Sequence, residues 1–477
     1  MDLLSPIYIA FIAFAALLFQ ACPARWRNAY LAAISLAFYS LFSAISALAM
    51  VCFTLITFVA ARTIDTKREN VVAKFTWWAT IAAQLGYLTF LKAVPAIGVK
   101  QAPGTVARFL AGFGASYYTF KLIGYLVDVY WAKQAPIREI GGLLAFASFF
   151  PQLPAGPIQR ASEFALPADG AEMPQLMAIG LRRILLGFVK KMAIADPLGA
   201  MVQLIAGNTH EFHSQLWVLY YLYPVQLYAD FSALTDIAVG AAALFGVKSP
   251  ENFALPFFSP NISQYWRRWH MTLTRWLTDY LFTPLRMATR ELGNWGLALS
   301  LTINMVLIGL WHGFNAGFLI FGLIHAVYLN VDALTGRYRK RLYNAYPALD
   351  KLTNAIGPIV VYHLVALALI FFRDGTVAGS VYTIRHLFDG ATQPWMSLYT
   401  LQHTFGSQRS LYAFLGFAAL CAIDITALLR ITGWKPLQRV PRFADVPRPL
   451  RWSCYYAAIV LAIVLYQQSS QFIYVQF

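Results

Sequence analysis

The sequence predicts an all-α polytopic membrane protein, and three observations predict it. Only 12% of the residues are charged and 59% are hydrophobic, with a mean hydropathy of +0.56, where an ordinary soluble domain carries about 25% charge. Apolar runs close to the roughly 20 residues of a membrane-crossing helix recur along the chain. Basic residues gather in short clusters between alternate runs, as cytoplasmic loops do. The net charge of +16, from 37 Lys and Arg against 21 Asp and Glu, then belongs to those loops and to anionic lipid headgroups. Membrane lipids are expected partners and nucleic acid is not.

The elements follow in order. A first helix is expected over about 7–22, ending at Pro23 ahead of Arg25 and Arg27. No basic region precedes it, which favours a retained helix with an external N-terminus over a cleaved signal. A helical pair covers about 30–61 and returns to Arg62, Lys67, Arg68 and Lys74. Spans of about 75–91 and 109–131 come next, with Lys92, Lys100 and Arg108 between them as a mild breach of the charge rule. The segment Phe149–Ile158 holds Pro151, Pro154 and Pro157, too many for a regular helix. Such backbone survives at membrane depth only if protein shields it or it lines a wet cavity. It reads either as a re-entrant loop or as an ordinary cytoplasmic one.

A long helix is expected over about 174–205, with Lys190 and Lys191 snorkelling or lining a wet cavity. The loop Gly207–Ser214 has no Lys or Arg and is expected outside. The next helix, over about 217–245, carries Asp230 and Asp236, which lie about 120° apart on a helical wheel and so need different partners. Residues 262–281 read as one interfacial amphipathic helix. Trp266, Trp269, His270, Leu273, Trp276, Leu277 and Tyr280 share one face, and Arg268, Arg275 and Asp279 the other, with Arg275 and Asp279 as an i,i+4 pair.

The stretch Leu301–Asn330 organises the rest. It is apolar enough for lipid, yet it holds His312 within Leu310-Trp311-His312-Gly313. Gly309, Gly313 and Gly317 recur every four residues and allow close helix packing. The flanking segments are both basic and belong on the same side, so this region must cross twice or enter and break, with the break at Trp311–Gly317. Spans of about 356–372, 411–429 and 453–472 complete about twelve crossings. The longest non-membrane piece, Asp374–Ser410, is external on this count. No repeat and no second soluble domain are evident.

His312 is the first chemical candidate: an imidazole that takes a proton from a hydroxyl, or one bonded to a nearby carbonyl. His270 is the second, with a structural place among tryptophans as its alternative. His325 would lie about 20 Å from His312 on a continuous helix, too far for shared metal ligation. His210, His213, His363, His386 and His403 read as loop or interface residues. The four cysteines, Cys22, Cys52, Cys421 and Cys454, have no metal-ligand spacing and read as small core residues. No metal site is expected. No phosphate-binding glycine loop and no serine elbow is present.

Five blocks then carry a resemblance: SFFPQLPAGPIQR, DFSALTDIAVGAAALFGVKSPENF, YWRRWHMTLTRWLTDYLFTPL, NMVLIGLWHG and LIFFRDG, in order over Ser148–Gly375. They resemble the membrane-bound O-acyltransferase (MBOAT) family in its bacterial polysaccharide branch, nearest the membrane components of alginate O-acetylation and teichoic-acid D-alanylation. The resemblance implies a ring of about 11–12 transmembrane helices, with re-entrant and interfacial helices, around a central tunnel. It divides one membrane domain into N-terminal helices (1–147), a core (148–375) and C-terminal helices (376–477). It implies catalytic roles for His312 and His270. Trp266, Trp269, Asp236, Asn315 and Trp311 are expected along the thioester tunnel.

It further implies no tightly bound cofactor, and an acyl donor that is acetyl-CoA or an acyl carrier protein thioester. The acceptor would be a hydroxyl of an extracellular or periplasmic polysaccharide, or an exported partner acyltransferase, at a bacterial inner membrane. There are departures. Arg286-Met287 stand where the alginate-type relatives have Gly-Gly-Asn, and DFSALTD stands for DFSGYSD. D-alanyl transfer is the alternative within the family. A transporter with a His/Asp proton relay is the alternative of another class, which would favour paired, interrupted repeats.

Overall fold

A computed structural model describes residues 5–94, 112, 114–154, 156–166, 172–406, 414–416, 418, 420–422, 425–426 and 446–465. The expected span over 411–429 lies largely outside these residues, as do Lys100 and Arg108 and the end of the last span. Every regular element among the described residues is helical. The helices are α1 (Pro6–Ala21), α2 (Arg27–Phe42), α3 (Ala44–Thr66), α4 (Val71–Ala93), α5 (Ala115–Tyr130), α6 (Ile140–Ser148), α7 (Met173–Val189), α8 (Asp196–Gly207) and α9 (Leu216–Leu244). Then come α10 (Ile262–Trp266), α11 (Met271–Leu277), α12 (Thr283–Ala288), α13 (Gly293–His312), α14 (Ala316–Ala345), α15 (Pro347–Asp374), α16 (Val377–Arg385), α17 (Pro394–Phe405) and α18 (Arg448–Leu465).

Among the described residues five stretches are long and apolar enough to cross a membrane: Ala44–Thr66, His213–Leu244, Arg290–His312, Ala316–Ala345 and Pro347–Asp374. The chain is therefore a multi-pass membrane protein. The second stretch is the hub, with 94% of its apolar window buried inside the protein, whereas the others present one side outward. α7 packs along this hub and α15 against it. A second apolar cluster joins α3, α4, α5 and α6.

The hub carries Asp230 and Asp236, and the structure explains how lipid-depth carboxylates survive. α7 and α8 form one continuous rod interrupted by a wide π-type turn over Lys190–Ala195. Adjacent lysines there reach aspartates six positions apart on α9. Lys191 Nζ donates to Asp230 at 2.7 Å and pairs with Asp196 at 2.8 Å; Lys190 Nζ and Arg183 Nε donate to Asp236 at 2.8 and 2.5 Å. The lysines expected to snorkel or face water are thus tied inward, because paired charges cost far less there than isolated ones.

The proline-rich loop is shielded by protein. Phe149, Phe150, Gln152, Leu153 and Ile158 are all 5% exposed or less. Gln152 accepts from Lys121 and donates to Gln159 and Ser249, so the side chains bond to one another instead of to water.

The expected continuous helix over 262–281 is interrupted. α10 ends at Trp266, and His270 adopts a left-handed backbone (φ 44°, ψ 52°) before α11 begins. The cause is non-local: Ala254 N–H donates to the Arg268 carbonyl, and Met271 N–H to the Asn252 carbonyl, at 3.0 and 2.9 Å. A second π-type turn over Thr278–Phe282 follows. The expected Arg275–Asp279 pair does not form. Arg275 pairs with Glu163 at 2.7 Å and Asp279 with Arg160 at 2.5 Å. The apolar side of the pattern nevertheless holds, since Trp266, Trp269, His270, Leu273 and Leu277 are all buried.

Candidate functional site

α13 ends at His312, and Gly313 is fully extended (φ 165°, ψ 157°), which stops the helix. Asn315 then starts α14 by accepting from Phe318 N–H at 2.8 Å, an ordinary N-cap. The two helices fold back as a hairpin so close that a Cβ on Gly322 would stand 2.6 Å from the Met305 carbonyl oxygen. A Cβ on Gly317 would stand 2.5 Å from that of Phe371 on α15. The expected break therefore falls at 313–315, and the glycines bring α13, α14 and α15 together around the histidine.

His312 is 6% exposed. Its ring centroid lies 4.7 Å from Trp311 and 4.8 Å from Phe372, which meets it edge-on. Phe318 and Phe321 close the same side at 5.9 and 6.2 Å.

His270 enters from the segment between α10 and α11. Its Nδ1 lies 3.1 Å from Asn252 Oδ1, which also accepts from Thr272 N–H at 3.2 Å and Thr272 Oγ1–H at 2.9 Å. A backbone N–H can only donate, so the atom it meets must be the amide oxygen. His270 Nδ1 must then carry the proton, and Nε2 the lone pair. Burial pushes the imidazole down to about 3, so it is neutral. Thr272 Oγ1 accepts in turn from Ile158 N–H at 3.0 Å, which ties the proline-rich loop to this histidine through one hydroxyl and one amide.

His270 and His312 border one cavity of about 20 Å³, with Trp266, Trp269, Phe321 and Phe372 among its walls. That volume admits one water-sized group. Large aromatic rings close around the two imidazoles. Tyr265 stacks on Trp269 at 5.8 Å, and Trp266 Nε1–H donates to His325 Nδ1 at 3.3 Å, which fixes the indole against α14. His325 thus serves a cavity wall and is not itself a lining residue.

Of the residues expected along the tunnel, Trp266 and Trp269 line this cavity. Trp311 flanks it, with its ring 6.2 Å from that of His270 and 6.0 Å from Phe120. Asn315 is occupied as a helix cap. Asp236 belongs to the Arg183–Lys190 cluster, where Arg183 also binds Glu251. Asn252, Thr272, Tyr265 and Phe372 were not singled out from sequence. Asn252 and Phe372 do lie in the SPENF and FFRDG stretches, yet nothing in their local pattern tells that they meet a histidine.

Residues 140–344 match the model of MBOAT, the membrane-bound O-acyltransferase family. The chain is 32% identical over 276 residues to a probable alginate O-acetylase, AlgI, of Pseudomonas aeruginosa, covering 57% of this chain and 50% of that one. It is 31% identical to a peptidoglycan O-acetyltransferase of Helicobacter pylori, over 54% of this chain and 53% of the relative. It is 28% identical to the teichoic acid D-alanyltransferase of Bacillus subtilis, over 64% of this chain and 79% of the relative. The chain spans about half the length of the first of these relatives.

Proposed function

Since residues 140–344 give the chain a domain of the MBOAT family, we propose that this protein is a membrane-bound O-acyltransferase that modifies a polysaccharide or another cell-envelope polymer. The observation that carries the reading is the convergence of two buried imidazoles, from separate broken helical segments of that domain, on one aromatic cavity.

His312 acts as the general base. It takes the proton of an acceptor hydroxyl as the oxygen attacks the thioester carbonyl carbon; the C–S bond then breaks and the thiol leaves with a proton. His270, held in the Nδ1–H form by Asn252, presents Nε2 as an acceptor that orients the hydroxyl or the departing thiol. Trp266, Trp269, Phe321 and Phe372 exclude water, which would otherwise hydrolyse the thioester. The donor is a cytoplasmic thioester, acetyl-CoA or an acyl carrier protein, received by the basic loops. The transferred group is acetyl, as the names of the alginate and peptidoglycan relatives state for those proteins, and the acceptor is an exported acyltransferase or the glycan itself. The setting is a bacterial inner membrane with the N-terminus outside. D-alanyl transfer remains a second reading because the Bacillus subtilis relative is covered over 79% of its length.

The test is acyl transfer by purified protein in lipid nanodiscs, with labelled acetyl-CoA or D-alanyl carrier protein and candidate glycans. His312→Ala should insert and fold normally yet lose transfer. Transfer at the wild-type rate in that variant would remove His312 from the mechanism. Label incorporation from the D-alanyl carrier alone would replace the acetyl assignment.

A further inference from the structure

Away from the cavity, a second group of side chains is arranged for chemistry that the acyl-transfer reading does not use. His213 lies just ahead of α9, and His386 and Asp389 lie in the turns between α16 and α17. His213 Nδ1 is 3.2 Å and His386 Nδ1 is 2.7 Å from the same atom, Asp389 Oδ2. All three donor atoms lie within 4.8 Å of one another.

The backbone beneath them is held fast. Ser397 Oγ donates to the carbonyls of Ser214 and Gly390 at 3.0 and 3.2 Å, and Gln215 Nε2 donates to the Ser397 carbonyl at 3.4 Å. Ser397 and Gln215 are 3% and 4% exposed. Gly390 lies against the Ser214 carbonyl with no room for a side chain. The two segments are therefore locked together before any ligand arrives, and the three donors sit on that lock facing solvent.

We propose that His213, His386 and Asp389 form a binding site for one divalent transition-metal ion of the zinc type. Two imidazoles and one carboxylate are a donor set such ions favour. Zinc–ligand bonds of about 2.0–2.1 Å in tetrahedral array place donor atoms about 3.3 Å apart. The observed separations need only small rotations of exposed side chains to meet that. Three protein ligands leave one position for water. The ion clamps the loop before α9 to the α16–α17 segment, on the face that the charge pattern assigns to the outside.

The experiment uses full-length protein without an affinity tag, stripped with a chelator and dialysed against buffered micromolar Zn²⁺, with bound metal measured by mass spectrometry. Wild type should hold one equivalent, and His386→Ala and Asp389→Asn should each weaken retention by at least about tenfold. Co²⁺ added to wild type should give the visible absorption of a four-coordinate site, a readout that needs no variant. No stoichiometric metal in wild type, retention unchanged in both variants, or a Co²⁺ spectrum of the hydrated ion would each overturn the proposal.

Discussion

Replacing Asn252 with alanine tests whether the tautomer of His270 is built into the fold. Asn252 is 0% exposed, and its Oδ1 takes three hydrogen bonds, from His270 Nδ1, Thr272 N and Thr272 Oγ1. The Thr272 hydroxyl can rotate to another acceptor, but the Thr272 amide and the His270 Nδ1–H cannot. Two buried donors left without an acceptor cost about 1–3 kcal/mol each, so about 2–6 kcal/mol in all. The left-handed backbone of His270, itself worth about 1–2 kcal/mol of strain, would lose the side-chain bond that helps hold it. The Asn252 carbonyl, which binds Met271 N–H, would remain. The expected result in nanodiscs is a clearly lowered unfolding temperature and, in the fraction still folded, a fall in acyl transfer. Nitrogen NMR of selectively labelled histidine, with the His270 signal assigned by its loss in His270→Gln, should show that imidazole in the Nδ1–H form in wild type and as a mixture in Asn252→Ala. An unchanged unfolding temperature together with an unchanged tautomer would refute the reasoning.

Other perturbations follow from the same contacts. Gly322→Ala puts a Cβ 2.6 Å from the Met305 carbonyl oxygen; the hairpin must open, at about 1–3 kcal/mol, and thermal unfolding should register the loss. Lys191→Met should destabilise by about 3–5 kcal/mol, because both Asp230 and Asp196 lose their cation. Asp230→Asn should cost less, since Lys191 keeps Asp196; the opposite order in a denaturation series would show that the cluster is not held as described. Trp266→Phe removes the bond to His325 and should cost about 1 kcal/mol, with a looser cavity measured as slower transfer at unchanged expression. His270→Gln should keep a measurable part of the transfer rate while His312→Gln loses it, and equal loss in the two would count against the division of roles.

The parts legible in the sequence were those written in local periodicity. The positions of the described long helices, the glycine-spaced hairpin, its break beside His312 and the burial of the Trp266–Leu277 face all follow from patterns at helical intervals. Different partners for Asp230 and Asp236 followed from a wheel angle alone. What escaped was written elsewhere in the chain. The interruption at His270 comes from backbone bonds to Asn252 and Ala254, and no residue within 262–281 announces it. The inward turn of Lys190 and Lys191 depends on a π-type turn that sequence patterns do not mark. Asp236, a reasonable companion for a catalytic histidine by composition, has its electrostatic needs met by Arg183 and Lys190.

The two interruptions give the histidines different electrostatic settings, and this supports unequal roles. His312 is the last residue of α13, a helix of 20 residues, where the unbonded carbonyls concentrate partial negative charge. On the proposed mechanism, a proton taken up there during attack on the thioester would gain about 0.3–1 kcal/mol from the helix end. His270 stands instead at the N-terminal end of α11, where helix partial charge is positive, and its Nδ1–H is already committed to an amide oxygen that Thr272 also occupies. Accepting a proton at Nε2 would place a full charge beside the rings of Phe231 and Trp311, at 4.9 and 6.2 Å, on a residue that is 1% exposed. On the proposed mechanism, the first imidazole would gain a proton and lose it again, and the second would stay neutral and hold its neighbour's substrate in line.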